Sequence, residues 1–136
     1  ILKMATTTNT VRRFTDINLM FAPHPYSKDI LTRKNVDAVK ASIQNLILTK
    51  NYERPFHPEI GCQVNALMFE NFMPSTVAAI ERSIRNTIEK FEPRANILNV
   101  QIVDNSDLNA IDIEVTFRLN NVALPVTVTT TISRVR

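Results

Sequence analysis

The sequence predicts an α+β fold, in which three helices pack on one face of a largely antiparallel sheet. The predicted order is strand, helix, helix, helix, strand, strand, strand. Two patterns carry this prediction. Apolar and polar residues alternate strictly from Ile111 to Leu119, which is typical of a strand with one buried and one wet face. Apolar residues recur at helical spacing from Val77 to Phe91, which is typical of an amphipathic helix.

The segments before the helices are predicted to be an arm and one strand. Residues 1–13 are rich in threonine and are expected to form a flexible N-terminal arm. Residues 14–136 are expected to form a single domain. The first strand is predicted over residues 14–21, because the apolar residues there fall at alternate positions.

The helices are predicted from apolar periodicity, and their ends from proline. The first is expected over residues 33–49 and the second over residues 62–72. The third is expected over residues 75–91, because Pro93 disfavours helical angles in the residue before it.

Three consecutive strands are predicted after the helices. Their apolar faces alternate with polar side chains over residues 98–102, 111–119 and 124–132. Asn120 and Asn121 tolerate positive φ angles and can turn the chain between the last two strands. This grouping of helices and strands is the basis of the α+β assignment.

Composition excludes several classes of protein. The chain has 136 residues, which fits one domain, and no apolar run long enough to cross a membrane. Its single cysteine, Cys62, cannot form an internal disulfide, so a reducing cytoplasm suits the fold. Its single glycine, Gly61, argues against phosphate-binding loops. The net charge of +3 is spread along the chain, so neither nucleic-acid nor membrane partners are expected.

A third hypothesis is nucleic-acid binding, through phosphate contacts of arginines at the two ends of the chain. These arginines are Arg12, Arg13, Arg134 and Arg136. Binding of this kind weakens steeply with salt, which provides its test.

Metal and cofactor chemistry is not supported by the spacing of the candidate ligands. His57, Glu59 and Cys62 lie close in sequence, but a closed metal site needs three or four ligands and only His24 could add an imidazole. No nucleophile elbow is present. We therefore expect no cofactor and no metal.

The enzymatic alternative is a lysozyme-like cell-wall glycoside hydrolase that acts through Glu92. Its neighbours Phe91 and Pro93 are apolar and could raise the pKa of its carboxyl group, as a general acid requires. A glycosidase needs a second carboxylate, and no feature of the sequence selects one.

In the run Glu92-Pro93-Arg94, the glutamate takes a position that is electrostatically unfavourable for a carboxylate. A carboxylate near a helix C-terminus opposes the helix dipole by roughly 0.3–1 kcal/mol when exposed. Arginine is the natural partner of a carboxylate, and Pro93 stiffens the backbone between the two side chains. Two interpretations stay open. The Glu-Pro-Arg run either presents two side chains in a fixed geometry to a partner, elsewhere in the fold or in another protein, or it is a helix stop followed by solvated charges.

Three motifs in order resemble one family, the baseplate wedge subunits or sheath initiators of contractile phage tails, with relatives in type VI secretion baseplates. The loop from Arg54 to Cys62 is similar to an R-P-x-x-P-E-F-G-C stretch, with Ile60 in place of the aromatic residue. The run from Leu67 to Asn71 resembles L-F-E-N, and the third motif is the Glu-Pro-Arg signature.

The resemblance implies a structural role without catalysis, in a virion tail baseplate whose subunits are made in the host cytoplasm. It implies docking on the helical core bundle of the wedge through Glu92, Pro93 and Arg94, and we expect Arg54 to add to this contact. It also implies that the last strands join the first ring of the tail sheath protein. The residues expected on that edge are Thr127, Thr129 and Thr131.

Overall fold

A computed structural model describes residues 14–120, 122 and 124–133, so the predicted arm at residues 1–13 lies outside the described residues. The described elements follow one another in this order: β1 (Thr15–Ile17), β2 (Thr32–Lys34), α1 (Asn35–Leu48), α2 (Val64–Leu67), α3 (Pro74–Phe91), β3 (Ala95–Asn105), a 3₁₀ turn (Ser106–Leu108), β4 (Ala110–Leu119) and β5 (Val126–Ser133). They form a two-stranded sheet, β1–β2, and a three-stranded sheet, β3–β4–β5, both antiparallel.

The predicted single sheet and the predicted element order are therefore wrong. The first strand does not join the later strands but pairs with β2, where Asp16 lies opposite Arg33. The sequence did not reveal β2 because its three residues, Thr32–Lys34, are all polar and show no alternation. β1 is shorter than predicted because the chain turns at Asn18 and Phe21 takes a φ of 49°.

The hydrophobic core lies between the three-stranded sheet and the helices. α1 packs against β5 and α3 packs against β3. The inward residues of β4 are fully buried, as the alternation predicts. They are Ile111, Ile113, Val115 and Phe117.

β3 departs from the expected alternation. A register shift between Ile97 and Asn99 marks a bulge, and it leaves Leu98 50% exposed. No helix among the described residues is long and apolar enough to span a membrane.

The loop between α1 and α2 is closed by backbone contacts. Lys50 and Cys62 form a parallel bridge, and Gly61 lies against it with a φ of 149°. A Cβ atom at Gly61 would lie 2.7 Å from the Lys50 carbonyl carbon, so a side chain does not fit there. Thr87 on α3 donates to the Gly61 carbonyl at 3.1 Å and fixes the loop to the core.

Candidate functional site

Glu92 lies at the C-terminal end of α3, where the chain leaves the helix. Its backbone N–H donates to the Ile88 carbonyl at 2.8 Å, and its φ of −128° has already left the helical region. Although the residue is charged, it is only 2% exposed. A buried carboxylate of this kind requires close partners, because desolvation would otherwise disfavour the charged form.

Arg94 supplies those partners through a fork of two hydrogen bonds. Its Nε donates to Glu92 Oε1 at 2.5 Å, and its Nη2 donates to Oε2 at 2.7 Å. Pro93 between them fixes the backbone, so both side chains leave one bend in a defined geometry. Charge-assisted forks are among the strongest side-chain pairs in proteins.

Arg94 also reaches β1, which sequence reasoning did not connect with the Glu-Pro-Arg run. Its Nη1 and Nη2 donate to the two carboxylate oxygens of Asp16 at 3.3 and 3.1 Å. The guanidinium carbon lies 5.4 Å from the centroid of the Phe14 ring, within range of a cation–π contact. The three charged residues therefore form one cluster that ties the two-stranded sheet to the end of α3.

The electrostatics of the cluster keep Glu92 ionised. Burial alone would raise the pKa of Glu92, but hydrogen bonds from Arg94 and Ser42 outweigh it and hold this pKa below its usual value. The hydrogen bond with Glu92 raises the pKa of Arg94. The shift at Glu92 is opposite to the one that a glycosidase general acid needs.

Arg54 lies apart from this cluster, in the loop before α2. It is exposed, and in the described part of the chain it makes no hydrogen bond with Glu92 or Arg94. Two residues further along the loop, Phe56 is 96% exposed with a φ of 68°.

The candidate metal ligands of the same loop do not converge. His57 and Glu59 contact each other at 3.3 Å, and Cys62 is buried against the Ser83 hydroxyl. No group of three or more metal-ligating side chains exists within residues 14–120, 122 and 124–133.

The predicted threonine edge lies on β5. Thr127, Thr129 and Thr131 are exposed on the wet face of the sheet, opposite Thr116, Glu114 and Asp112 of β4. Thr131 donates to Asp112, and Thr127 lies 3.4 Å from the Thr116 hydroxyl.

The outer edge of β5 borders a groove of about 610 Å³, which the sequence did not predict because β2 forms its opposite wall. It is lined by Thr32, Arg33, Lys34, Asp37, Lys40, Gln44, Thr127, Val128 and Thr129. Gln44 Nε2 on α1 donates to the Thr129 carbonyl at 3.5 Å, a long contact. The groove thus lies between the two sheets.

Comparisons with known proteins identify the fold in several contractile assemblies. One chain of the anti-feeding prophage baseplate has a TM-score of 0.71 and 24% identity, and the match covers 82% of this chain and 89% of that one. One chain of the type VI secretion baseplate complex has a TM-score of 0.60 and 17% identity, over 71% and 92% of the two chains. A Geobacter sulfurreducens protein to which a tail-lysozyme role has been ascribed has a TM-score of 0.67 and 19% identity, over 72% and 89%.

Sequence similarity is more specific than the shared fold. The baseplate wedge protein gp25 of Enterobacteria phage T4 is 32% identical over 92 residues, which are 68% of this chain and 70% of that protein. The profile of the family described as "Baseplate wedge protein gp25" matches residues 33–123. The chain therefore belongs to the baseplate wedge protein gp25 family of contractile tails.

Proposed function

We propose that this chain is a non-catalytic subunit of a baseplate wedge that links the wedge core to the first sheath ring and starts sheath assembly. The observation that carries the proposal is the outer edge of β5, which borders an open groove while the inner edge pairs with β4. A strand edge that faces a groove can accept an extended segment of another chain through main-chain hydrogen bonds.

The position of the groove suits strand addition. β2 forms one wall and β5 the other, so a strand bound between them would join the two sheets. Three cationic side chains and one carboxylate, Asp37, line the groove, which therefore favours a segment with acidic side chains. The long contact between Gln44 and the Thr129 carbonyl is weak enough for an incoming N–H to replace it.

The proposal places the second contact, with other wedge subunits, at the cluster around Arg94. The Arg94 side chain is 26% exposed and the cluster is already fixed in the free chain, so little conformational entropy is lost on docking. In this proposal Arg54 and the exposed Phe56, which lie in the loop before α2 and apart from the cluster, form a separate part of the contact with the wedge. We propose no nucleic-acid or membrane partner, and we place the subunit in the virion tail baseplate after synthesis in the host cytoplasm.

The absence of catalysis is part of the proposal and is supported by Glu92 itself. A glycosidase acid must be protonated near neutral pH and must reach the glycosidic oxygen. Glu92 is buried, its pKa is lowered, and both of its carboxylate oxygens accept hydrogen bonds from Arg94.

The variant Thr129→Pro tests strand addition at β5. The Thr129 carbonyl accepts a bond from Gln44 on the outer edge, and the N–H of a strand residue points the same way as its carbonyl. Proline at this position removes an outward donor and spares the ladder with β4, which edge strands tolerate. We expect a folded protein and baseplates without a polymerised sheath, scored by electron microscopy of tail particles.

Thr129→Val is the matched control, because it changes the side chain and keeps the N–H. It should give sheathed tails. Normal sheath on Thr129→Pro particles would overturn the proposed role of the β5 edge.

A further inference from the structure

A further groove runs along the middle of α3, where α2 and the loop before it pack against that helix. It consists of two adjoining depressions of about 430 and 320 Å³, which share Asn51 and Gln63 in their linings. The smaller one is lined by Arg82, which lies roughly 13 Å from the end of α3 at about 1.5 Å per residue. The groove is therefore a different surface from the β5 edge and from the cluster around Arg94.

The larger depression presents two aromatic side chains to solvent. Tyr52 is 84% exposed and Phe69 is 72% exposed. Tyr52 has a φ of 67°, in the left-handed region that bulky residues disfavour, and its N–H donates to the Pro58 carbonyl at 3.0 Å. An exposed aromatic residue held in an unfavourable backbone conformation adds nothing to the core, so its position points to a contact with another molecule.

The walls of the groove are fixed in the free chain. The parallel bridge between Lys50 and Cys62 closes the loop, and the Gln63 N–H donates to the Ser83 hydroxyl on α3 at 3.3 Å. Because these contacts hold the loop against the helix before any partner arrives, little of the groove has to be ordered on binding.

The charge of the groove is positive. Arg82 is exposed and forms no ion pair with the described residues, since the neighbouring Glu81 pairs with Arg85. Lys50 lines the larger depression and is also without an ion pair in that part of the chain. No Asp or Glu among the described residues lines either depression. A carboxylate is therefore the side chain that this groove favours.

The N-terminal segment of the chain does not have the matching charge. Residues 1–13 contain Lys3, Arg12 and Arg13 and no carboxylate, so a cationic groove would repel them. The groove instead suits a segment that carries an apolar side chain and, close to it, an Asp or Glu.

We propose that this groove binds an acidic segment of another baseplate protein, with an apolar side chain between Tyr52 and Phe69 and a carboxylate on Arg82. This inference rests on the proposed function and adds a third contact to it, with the chemistry of the partner named.

Site-specific photo-crosslinking in assembled tail particles tests the location. The full chain carries p-benzoylphenylalanine in place of Gln63 or, in a second variant, Ala79, both exposed in the lining, and is co-expressed with its own tail gene set. The same probe in place of Gln101, exposed on β3, is the matched control. We expect the two groove probes, but not the control, to give one shared crosslinked segment of another protein that contains an Asp or Glu close to an apolar residue, mapped by mass spectrometry.

A charge swap tests the chemistry. Arg82→Glu should lower incorporation of the chain into particles by roughly tenfold or more, because like charges then meet in the contact. Arg118→Glu makes the same change in charge at an exposed position of β4 and should leave incorporation unchanged. Changing the mapped carboxylate of the partner to Lys should restore incorporation of the Arg82→Glu chain, which a purely structural role of Arg82 would not allow.

Tyr52→Gly separates binding from folding. Glycine takes a φ of 67° without strain, so the midpoint of urea denaturation should be unchanged or higher than in wild type. Incorporation into particles should nevertheless fall by roughly tenfold, because the aromatic side chain is lost from the contact. Normal incorporation of Tyr52→Gly, or a lower denaturation midpoint together with reduced incorporation, would overturn the role of Tyr52 in binding.

The outcomes distinguish this inference from the proposed function. Wild-type chain absent from purified particles would overturn both. Wild-type chain present in sheathed particles would leave the proposed function standing. In that case the inference alone is overturned by normal incorporation of Arg82→Glu, or by groove probes that crosslink to nothing, to a second copy of this chain or to a segment without a carboxylate.

Discussion

The two sheets of this molecule are stabilised by different forces. The strands of β3–β4–β5 are long, and their apolar faces are buried under α1 and α3. The strands of β1–β2 have three residues each, none of them buried, and Phe14 just before β1 packs against the core. Arg94 binds Asp16, and Asn35 exchanges hydrogen bonds with the Phe14 backbone. We therefore expect the large sheet to determine whether the chain folds, and the small sheet to determine how one surface is presented.

The largest effect is expected from the core of the large sheet. Phe117 on β4 is fully buried, so Phe117→Ala should lower the free energy of unfolding by about 3–5 kcal/mol. Urea denaturation followed by circular dichroism measures it. Leu98→Ala is the control, since Leu98 is half exposed at the bulge and its truncation should cost less than about 1 kcal/mol. Equal losses in the two variants would contradict the assignment of the core to this sheet.

An intermediate effect is expected from the pH dependence of the cluster that joins the two sheets. The pKa of Glu92 is lower in the folded chain than in the unfolded one. The stabilisation that ionised Glu92 gives to the folded chain is therefore fully present above the pKa of about 4.3 that this group has in the unfolded chain. The stabilisation is lost as the pH falls through the lower pKa that Glu92 has in the folded chain. Stability measured by denaturation from pH 7 down to acidic pH should decline, and Glu92→Gln should flatten that decline.

The matched control for Glu92 is Glu114, which is exposed on the wet face of β4. Glu114→Gln leaves the pairing of Glu92 with Arg94 unchanged, so it should keep the decline of wild type. A Glu92→Gln protein that loses stability in acid as steeply as wild type would show that Glu92 is not the group responsible.

Sequence reasoning succeeded where burial follows a regular period. The alternation along β4 and the apolar stripe of α3 each identify one buried face, because side-chain direction repeats with the backbone. The outward position of Leu98 could not be predicted, since a bulge shifts the register without any marker in the residues themselves. β2 was missed for a related reason, because a short polar strand has no period to detect.

The candidate site was predictable only in part. The unfavourable position of Glu92 against the helix dipole indicated that it needs a partner, and Arg94 is that partner. Asp16 could not be found in the same way, because it lies 78 residues from Arg94 and reaches it only once β1 pairs with β2. Whether Glu92, Pro93, Arg94 and Arg54 contact other subunits stays a prediction.

The smallest effect on global stability is expected from Asp16→Asn, and it is the sharpest test of the difference between the sheets. Asp16 is partly exposed, and pairs of this kind contribute about 0–1 kcal/mol, so the free energy of unfolding should change little. Locally, however, Asp16 carries the ion pair that joins β1 to Arg94, and its loss should let the small sheet open more often. Amide hydrogen exchange should accelerate in residues 15–17 and 32–34 and stay unchanged in β4. Faster exchange throughout β4 would mean that the two sheets unfold as one unit, and that the small sheet stabilises the core as well as the surface it presents.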